Sequence, residues 1–375
     1  MKLSKKQINY ITIFSIVFIV TIVGYFNYLM NPYNIFEEKK TQFKPYQFGY
    51  ERDFINIKFK LNKNKNYVAI ITGGSNTFGS FSSNTFEGLI PSNKIEYIAF
   101  DGPSTEELIR QTKLFISIHP EVKKVYYAIE LNTLYSKPKE STIPEFTGLS
   151  FNPTELAKMF FSIDTTLLSL KQFLFEINTL RQNKSNITSY KYNTTLPHIR
   201  VDYFGCSIKD SDIQKIIEFS KFLKSKNIEG VFFIPAYHSL HMANIKRCSK
   251  YTEIENLKKK LAHNIQFYDF SYISPYTTVQ LPEKPGEVQF HYYDDPLHPS
   301  ETLGRIMLER LLNERQDFGM LITDANVDST LERQKQDLGT YLIQNKTLID
   351  NYMKYNTDCN SSDWQYKVVN YTKNR

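Results

Sequence analysis

Residues 67–76 read YVAIITGGSN, and the fold follows from this stretch. Tyr67–Thr72 is a short, nearly continuous apolar run ending on Gly73-Gly74, the pattern of a strand buried on both faces and followed by a sharp turn. Such a strand needs helices on both sides of its sheet, so the flanking sequence should alternate strand and helix. Ile95–Phe100 is a second run of the same kind, and Ser104 with Glu107 forms an S-x-x-E capping box that opens a helix through about Ile118. Val125–Leu131 predicts a third strand. Ile213, Ile216, Ile217, Phe219, Phe222 and Leu223 make one helical stripe in 211–225, ahead of a fourth strand at Gly230–Ile234. A Lys-rich helix near 252–263 precedes a fifth at Ile265–Phe270, and a last helix runs from about Ser300 to Leu312. The order predicts an α/β fold of three layers (αβα) around a mostly parallel, five-stranded, flavodoxin-like sheet with right-handed crossovers.

One connection is much longer than a crossover needs, from Asn132 to about Asp210. Within it, 154–181 has helical periodicity and reads as an extra helix packed on one face, whereas the polar stretch 183–205 is placed to form a lid over the carboxyl edge of the sheet. The tail, 314–375, alternates in charge and reads as one or two solvated helices, at 329–353, with a frayed end.

The N-terminus sets the compartment. No charged residue lies between Lys6 and Glu37, and Tyr10–Met30 would rise roughly 31 Å as a helix, enough to span a bilayer. A buried core helix is the alternative, but Lys2, Lys5 and Lys6 flank the run as they would a membrane anchor. The positive-inside rule keeps these lysines in the cytoplasm and sends everything after Met30 across the membrane. No Ala precedes Ala69, so an A-x-A cleavage site is missing and the helix is expected to be retained as a single-pass anchor in the cytoplasmic membrane. The resulting order is a cytoplasmic segment (1–8), the anchor (9–30), a juxtamembrane segment (31–65), the α/β domain (66–313, with its insertion at 133–210) and a helical extension (314–375).

Hydrophobic residues make up 41% of the 375, and Gly (14) and Pro (15) are few, which excludes collagen-like, low-complexity and wholly disordered classes. The net charge of +7 is spread along the chain rather than gathered on one element, so no nucleic-acid partner is expected. Three cysteines, Cys206, Cys248 and Cys359, are too few and too scattered for a paired-CxxC zinc site; a Cys206–Cys248 bridge fits an oxidising compartment.

Residues with chemistry sit on strand ends. In an open parallel sheet, ligands bind at the carboxyl ends of the strands, which is where Ser75 falls. A serine hydroxyl becomes nucleophilic only when a base takes its proton, and that base needs an acceptor to hold its tautomer. Asp295 and His298, three residues apart in a loop, can supply both. Donors for a developing oxyanion are available from the backbone of Ser75, the backbone of Gly102 and the side-chain amide of Asn132, all on one edge. The competing reading is a metal site of His238, His241, His291 and Asp294, but these lack HxH or HExxH spacing, so neither metal nor cofactor is expected.

Gly73-Gly74-Ser75-Asn76, Asp101-Gly102, Glu130-Leu131-Asn132 and Asp295-x-x-His298 resemble, in order and spacing, the four blocks of the SGNH (GDSL-like) hydrolase superfamily. The resemblance implies Ser75 as nucleophile, Gly102 and Asn132 as oxyanion donors, and Asp295 with His298 as the rest of a triad. Asn31-Pro32-Tyr33 after the anchor and the strand end Tyr268-Asp269-Phe270-Ser271 look most like membrane-anchored bacterial members that accompany polysaccharide O-acylation. This implies a serine esterase or O-acyltransferase working on acetyl esters of an extracytoplasmic envelope glycan, with a multispan membrane acyltransferase as partner. The alternative is a catalytically inactive scaffold that binds glycan or that partner. Two departures stand out. Gly-Gly-Ser replaces Gly-Asp-Ser, losing an Asp that braces the first loop, and Glu130 replaces a Gly, where its bulk is expected to disturb the oxyanion site.

Overall fold

A computed structural model describes residues 4–30, 59, 64–81, 83–91, 94–100, 102–135, 154, 157, 160–181, 207–279, 292–293 and 297–353. The chain runs α1 (Lys5–Met30), β1 (Ala69–Gly73), α2 (Ser75–Ser80), α3 (Ser83–Phe86), β2 (Ile95–Ala99), α4 (Thr105–Ile118), β3 (Lys124–Ala128), α5 (Leu131–Tyr135) and α6 (Ile163–Arg181). It continues through α7 (Asp210–Ser225), β4 (Glu229–Ile234), α8 (Ser239–Arg247), α9 (Tyr251–Ala262), β5 (Phe267–Asp269), α10 (Glu301–Leu311), β6 (Met320–Ile322), α11 (Val327–Gln344) and α12 (Lys346–Met353). These elements divide into two compact units, one drawn from Met1–Asn64 and Ile143–Thr188, the other from Lys65–Thr142 and Ser189–Arg375.

The second unit is built on a sheet of order β2-β1-β3-β4-β5-β6. The first five strands are parallel and β6 runs antiparallel to β5. Among the described residues the sheet has six strands rather than the expected five; the sixth, three paired residues within Phe318–Ile322, is too short to show a period and lies in the tail read as helical. Side-chain alternation along β4 explains the layering. Phe232 packs on Phe219 of α7, while its neighbour Phe233 packs on Phe81 and shares a core cluster with Leu303, Met307 and Leu308 of α10. Period-two alternation thus sends successive rings into two separate cores, one on each face. Each fully buried ring contributes about 1.5–3 kcal/mol.

Register then sets the edge. Gly73 pairs with Ala99, and Thr72 with Tyr127, so β1, β2 and β3 end level and the residues after them emerge together. The chain leaves β1 for β2 on one side and reaches β3 on the other, and that reversal opens a crevice at the carboxyl ends. α4 begins as expected: Ser104 Oγ accepts from Glu107 N–H, and Glu107 Oε2 accepts from Ser104 N–H. β3 stops at Ala128, three residues earlier than expected, and α5 begins at Leu131. α11 is not simply solvated, since it buries Leu331, Gln334 and Leu338.

In the first unit, α1 packs against α6. The periodic stretch 154–181 forms a helix over Ile163–Arg181, which belongs to this unit with α1. α1 is long and apolar enough to cross a membrane, a property that anchors and signal sequences share. The lid predicted at 183–205 lies outside the described residues. Cys248 is disulfide-bonded, and Cys206 and Cys359 both lie outside them.

Candidate functional site

Ser75 opens α2 directly after β1, at the crevice. Two glycines make that turn feasible. A Cβ on Gly73 would overlap Thr77 and Ala128, and one on Gly74 would press into the Glu130 carboxylate.

Glu130 holds the turn. Its side chain is buried, with Oε1 accepting from Gly74 N–H at 2.7 Å, Thr77 N–H at 2.9 Å and Thr77 Oγ1 at 2.8 Å, and Oε2 accepting from Asn76 N–H at 3.2 Å. Burial pushes this carboxyl above the usual range, with the bonds from Thr77, Asn76 and Gly74 acting against it. The expectation that Glu130 would disturb the oxyanion site is corrected: it satisfies the free N–H groups at the start of α2, much as an acidic N-cap would. It braces the loop from the neighbouring strand, the task that an Asp before Ser75 would have had. The clue in the sequence was a lone acid closing an otherwise apolar strand end.

Two side chains converge on the Ser75 hydroxyl. His298 Nε2 lies 3.1 Å from Ser75 Oγ, and Asn132 Nδ2 donates to the same oxygen at 3.2 Å. With Oγ accepting from the amide, its own proton can point at Nε2. That arrangement suits a neutral imidazole protonated on Nδ1. Asn132 sits in α5, whose start is fixed by Leu131 N–H donating to the buried Tyr237 hydroxyl at 2.8 Å.

His298 is positioned by its own loop. Tyr293 and Pro299 form a bridge, Ser300 N–H donates to Tyr292 O at 2.9 Å, and Ser300 caps α10. The loop is also tied to the serine's own helix, because Ser80 Oγ lies 2.5 Å from Asn76 O and 3.1 Å from Pro299 O. α10 approaches so closely that a Cβ on Gly304 would overlap the Ser80 carbonyl. Sequence reading singled out Glu130 for the opposite role and missed Ser80 and Tyr237, neither of which carries a motif of its own.

Gly102 follows β2, the strand beside β1, with φ at +55°, a conformation suited to glycine. Asp101 and Asp295 lie outside the described residues. Ser75, His298 and Asn132 are thus brought into one hydrogen-bonded group, with Gly102 at the neighbouring strand end.

His238 is committed elsewhere. Its Nε2 bonds Val279 O at 2.8 Å, its Nδ1 accepts from Leu240 N–H at 3.2 Å, and burial lowers its pKa to about 4. Both nitrogens are used within the fold, so it is not a free ligand. His241 stacks on Tyr237, and His291 and Asp294 lie outside the described residues. Among the described residues, no group of three or more His, Cys, Asp or Glu could hold a metal ion.

Comparison with known proteins yields little. No family matched the sequence, and no curated protein did. Among solved structures, a "putative acylhydrolase" from Bacteroides fragilis NCTC 9343 is similar over 75% of this chain and all of its own, at 12% identity and a TM-score of 0.32. So slight a likeness assigns no role to this chain.

Proposed function

We propose that this protein is a membrane-anchored serine esterase or O-acyltransferase of the SGNH type, acting on acetyl esters of an extracytoplasmic envelope glycan. The observation that carries the chemistry is the meeting of Ser75, His298 and Asn132 around one hydroxyl. As Ser75 Oγ attacks the ester carbonyl carbon, His298 Nε2 takes its proton, and general-base help of this kind contributes roughly 10²–10⁴-fold. The carbonyl oxygen becomes an oxyanion, stabilised by Asn132 Nδ2 and by the N–H groups of Ser75 and Gly102. Collapse expels the sugar or donor alkoxide, which receives the proton from His298 and leaves an acyl-Ser75. Water resolving that ester makes an esterase; a sugar hydroxyl makes a transferase. Asp295 is assigned the tautomer-holding role on Nδ1.

The anchor reading draws support from the packing of α1. Asn27 Nδ2 donates to Phe160 O and to Thr166 Oγ1, which ties the end of the helix to chain more than a hundred residues later. A leader destined for removal has no need of such contacts.

The test is turnover of a soluble acetyl ester by the full chain in detergent, measured against pH. Turnover should fall on the acid side as the imidazole takes a proton, and Ser75→Ala should remove it. A flat profile argues against a histidine base. No turnover by a folded chain favours an inactive scaffold that binds glycan or a membrane partner.

A further inference from the structure

We infer that α6 is a second lipid-contacting element, lying in the membrane interface beside the outer end of α1. The inference rests on the anchor reading proposed above and goes beyond it. Ile163, Leu167, Leu170 and Leu174 recur at i, i+4, i+7 and i+11, which places them on one stripe of the helix, and they are 78%, 50%, 43% and 51% exposed. The opposite side, with Thr165 and Ser169, is fully buried. A helix serving a water-soluble core would turn these faces round.

The partner helix is arranged the same way. α1 buries Gly24, Asn27 and Met30 while exposing Ile22, Tyr25 and Leu29. The seam combines a small residue, a polar one and an aromatic pair: Gly24, where a Cβ would overlap the Phe161 ring just before α6, Asn27, which donates to Phe160 O and Thr166 Oγ1, and Phe26 edge-on to Phe173. Close approach at a small residue, a hydrogen-bonding polar side chain in the seam and apolar residues outward are features that helices in lipid use. α6 thus packs on α1, and both helices leave apolar side chains exposed.

α6 does not span. Its sequence carries Asp164, Lys171, Glu176 and Arg181, too many charges for a span, and the exposed Lys171 suits a helix lying in the headgroup layer with its apolar stripe toward the acyl chains. Such a helix would fix the height of the α6 end of the first unit at the membrane surface.

Depth-dependent quenching tests this on the full chain in phosphatidylcholine vesicles carrying bromine near either the headgroup end or the methyl end of the acyl chains. In a Trp364→Phe background, a single tryptophan is introduced as Leu167→Trp, Leu170→Trp or, in mid-α1, Phe18→Trp; circular dichroism and melting should match the parent. The expected result is loss of emission from the two α6 positions mainly to bromine near the headgroups, and from the α1 position mainly to bromine near the methyl ends. If Phe18→Trp is quenched while both α6 positions keep their emission, α6 faces water or another protein, and this inference falls although the anchor stands. If Phe18→Trp is itself unquenched, the anchor reading fails and takes the inference with it.

Discussion

Glu130 is the residue through which the site is most open to test. In Glu130→Gln the amide oxygen can keep the three bonds made by Oε1, but the NH₂ group then confronts Asn76 N–H, next to the nucleophile. The expected cost is about 1–3 kcal/mol, the usual price of facing two buried donors, read as a lower melting temperature. kcat should fall with it while KM changes little, since the turn carrying Ser75 loosens. The pH dependence has a defined sign. Because burial raises this carboxyl's pKa in the fold, the folded state keeps, between the ordinary Glu value and the raised one, a proton that the unfolded chain has released. The group's contribution is therefore greatest in acid and falls as pH rises through the raised value. Subtracting the Glu130→Gln stability curve from that of the wild type should expose this downward slope. Asn132 is tested more simply: Asn132→Ala should lower kcat by about 10²–10³-fold, the usual effect of removing one oxyanion donor.

Ser75, Asn132 and His298 were legible because each follows the end of a strand or precedes a helix whose apolar pattern is plain. Glu130 was misjudged because a strand expected to continue to Leu131 stops at Ala128, and that early stop lets the carboxyl turn back under the Ser75 loop. Two element contacts carry predictions. α10 crosses α2 with Gly304 against the Ser80 carbonyl, so Gly304→Ala must push the helices apart. Overpacking of this kind costs about 1–3 kcal/mol, and kcat should drop with the melting temperature as His298 withdraws from Ser75. At the end of β5, Asp269 accepts from Lys258 Nζ at 2.6 Å, from Ser271 Oγ at 2.7 Å and from Gln334 Nε2 at 2.8 Å, joining α9, β5 and α11 in a buried knot. Burial alone would raise this carboxyl, but Lys258 and Ser271 bring it below the usual range. Its stabilisation is thus present above the ordinary Asp value and is lost as pH falls through the lowered one, opposite in sign to Glu130. Lys258→Met leaves Asp269 buried without its counter-charge and should cost about 3–5 kcal/mol in a denaturant melt. Neither the knot nor β6 was visible in the sequence, because each depends on residues brought together from distant positions or on a strand of three.

In the molecule as a whole, a sheet unit presents the candidate site and a helical unit carries the apolar stripes. The alternation of strands and helices made the first readable. The second was only half readable, because 154–181 has the periodicity of any amphipathic helix, and sequence does not say that its apolar stripe faces outward. If α1 is retained as an anchor, the full-length protein should stay with membranes through alkaline carbonate washing, and release of the intact chain into the wash would contradict that reading. The central claim is narrower: Ser75 is an activated nucleophile because His298 can take its proton. Intact-mass analysis of the full chain after exposure to a fluorophosphonate tests it most directly. The account predicts one phosphonyl adduct per chain, mapped to Ser75, and none in Ser75→Ala or His298→Ala variants that melt like the wild type. A folded wild-type chain that stays unmodified, or an adduct that persists when His298 is removed, would contradict it.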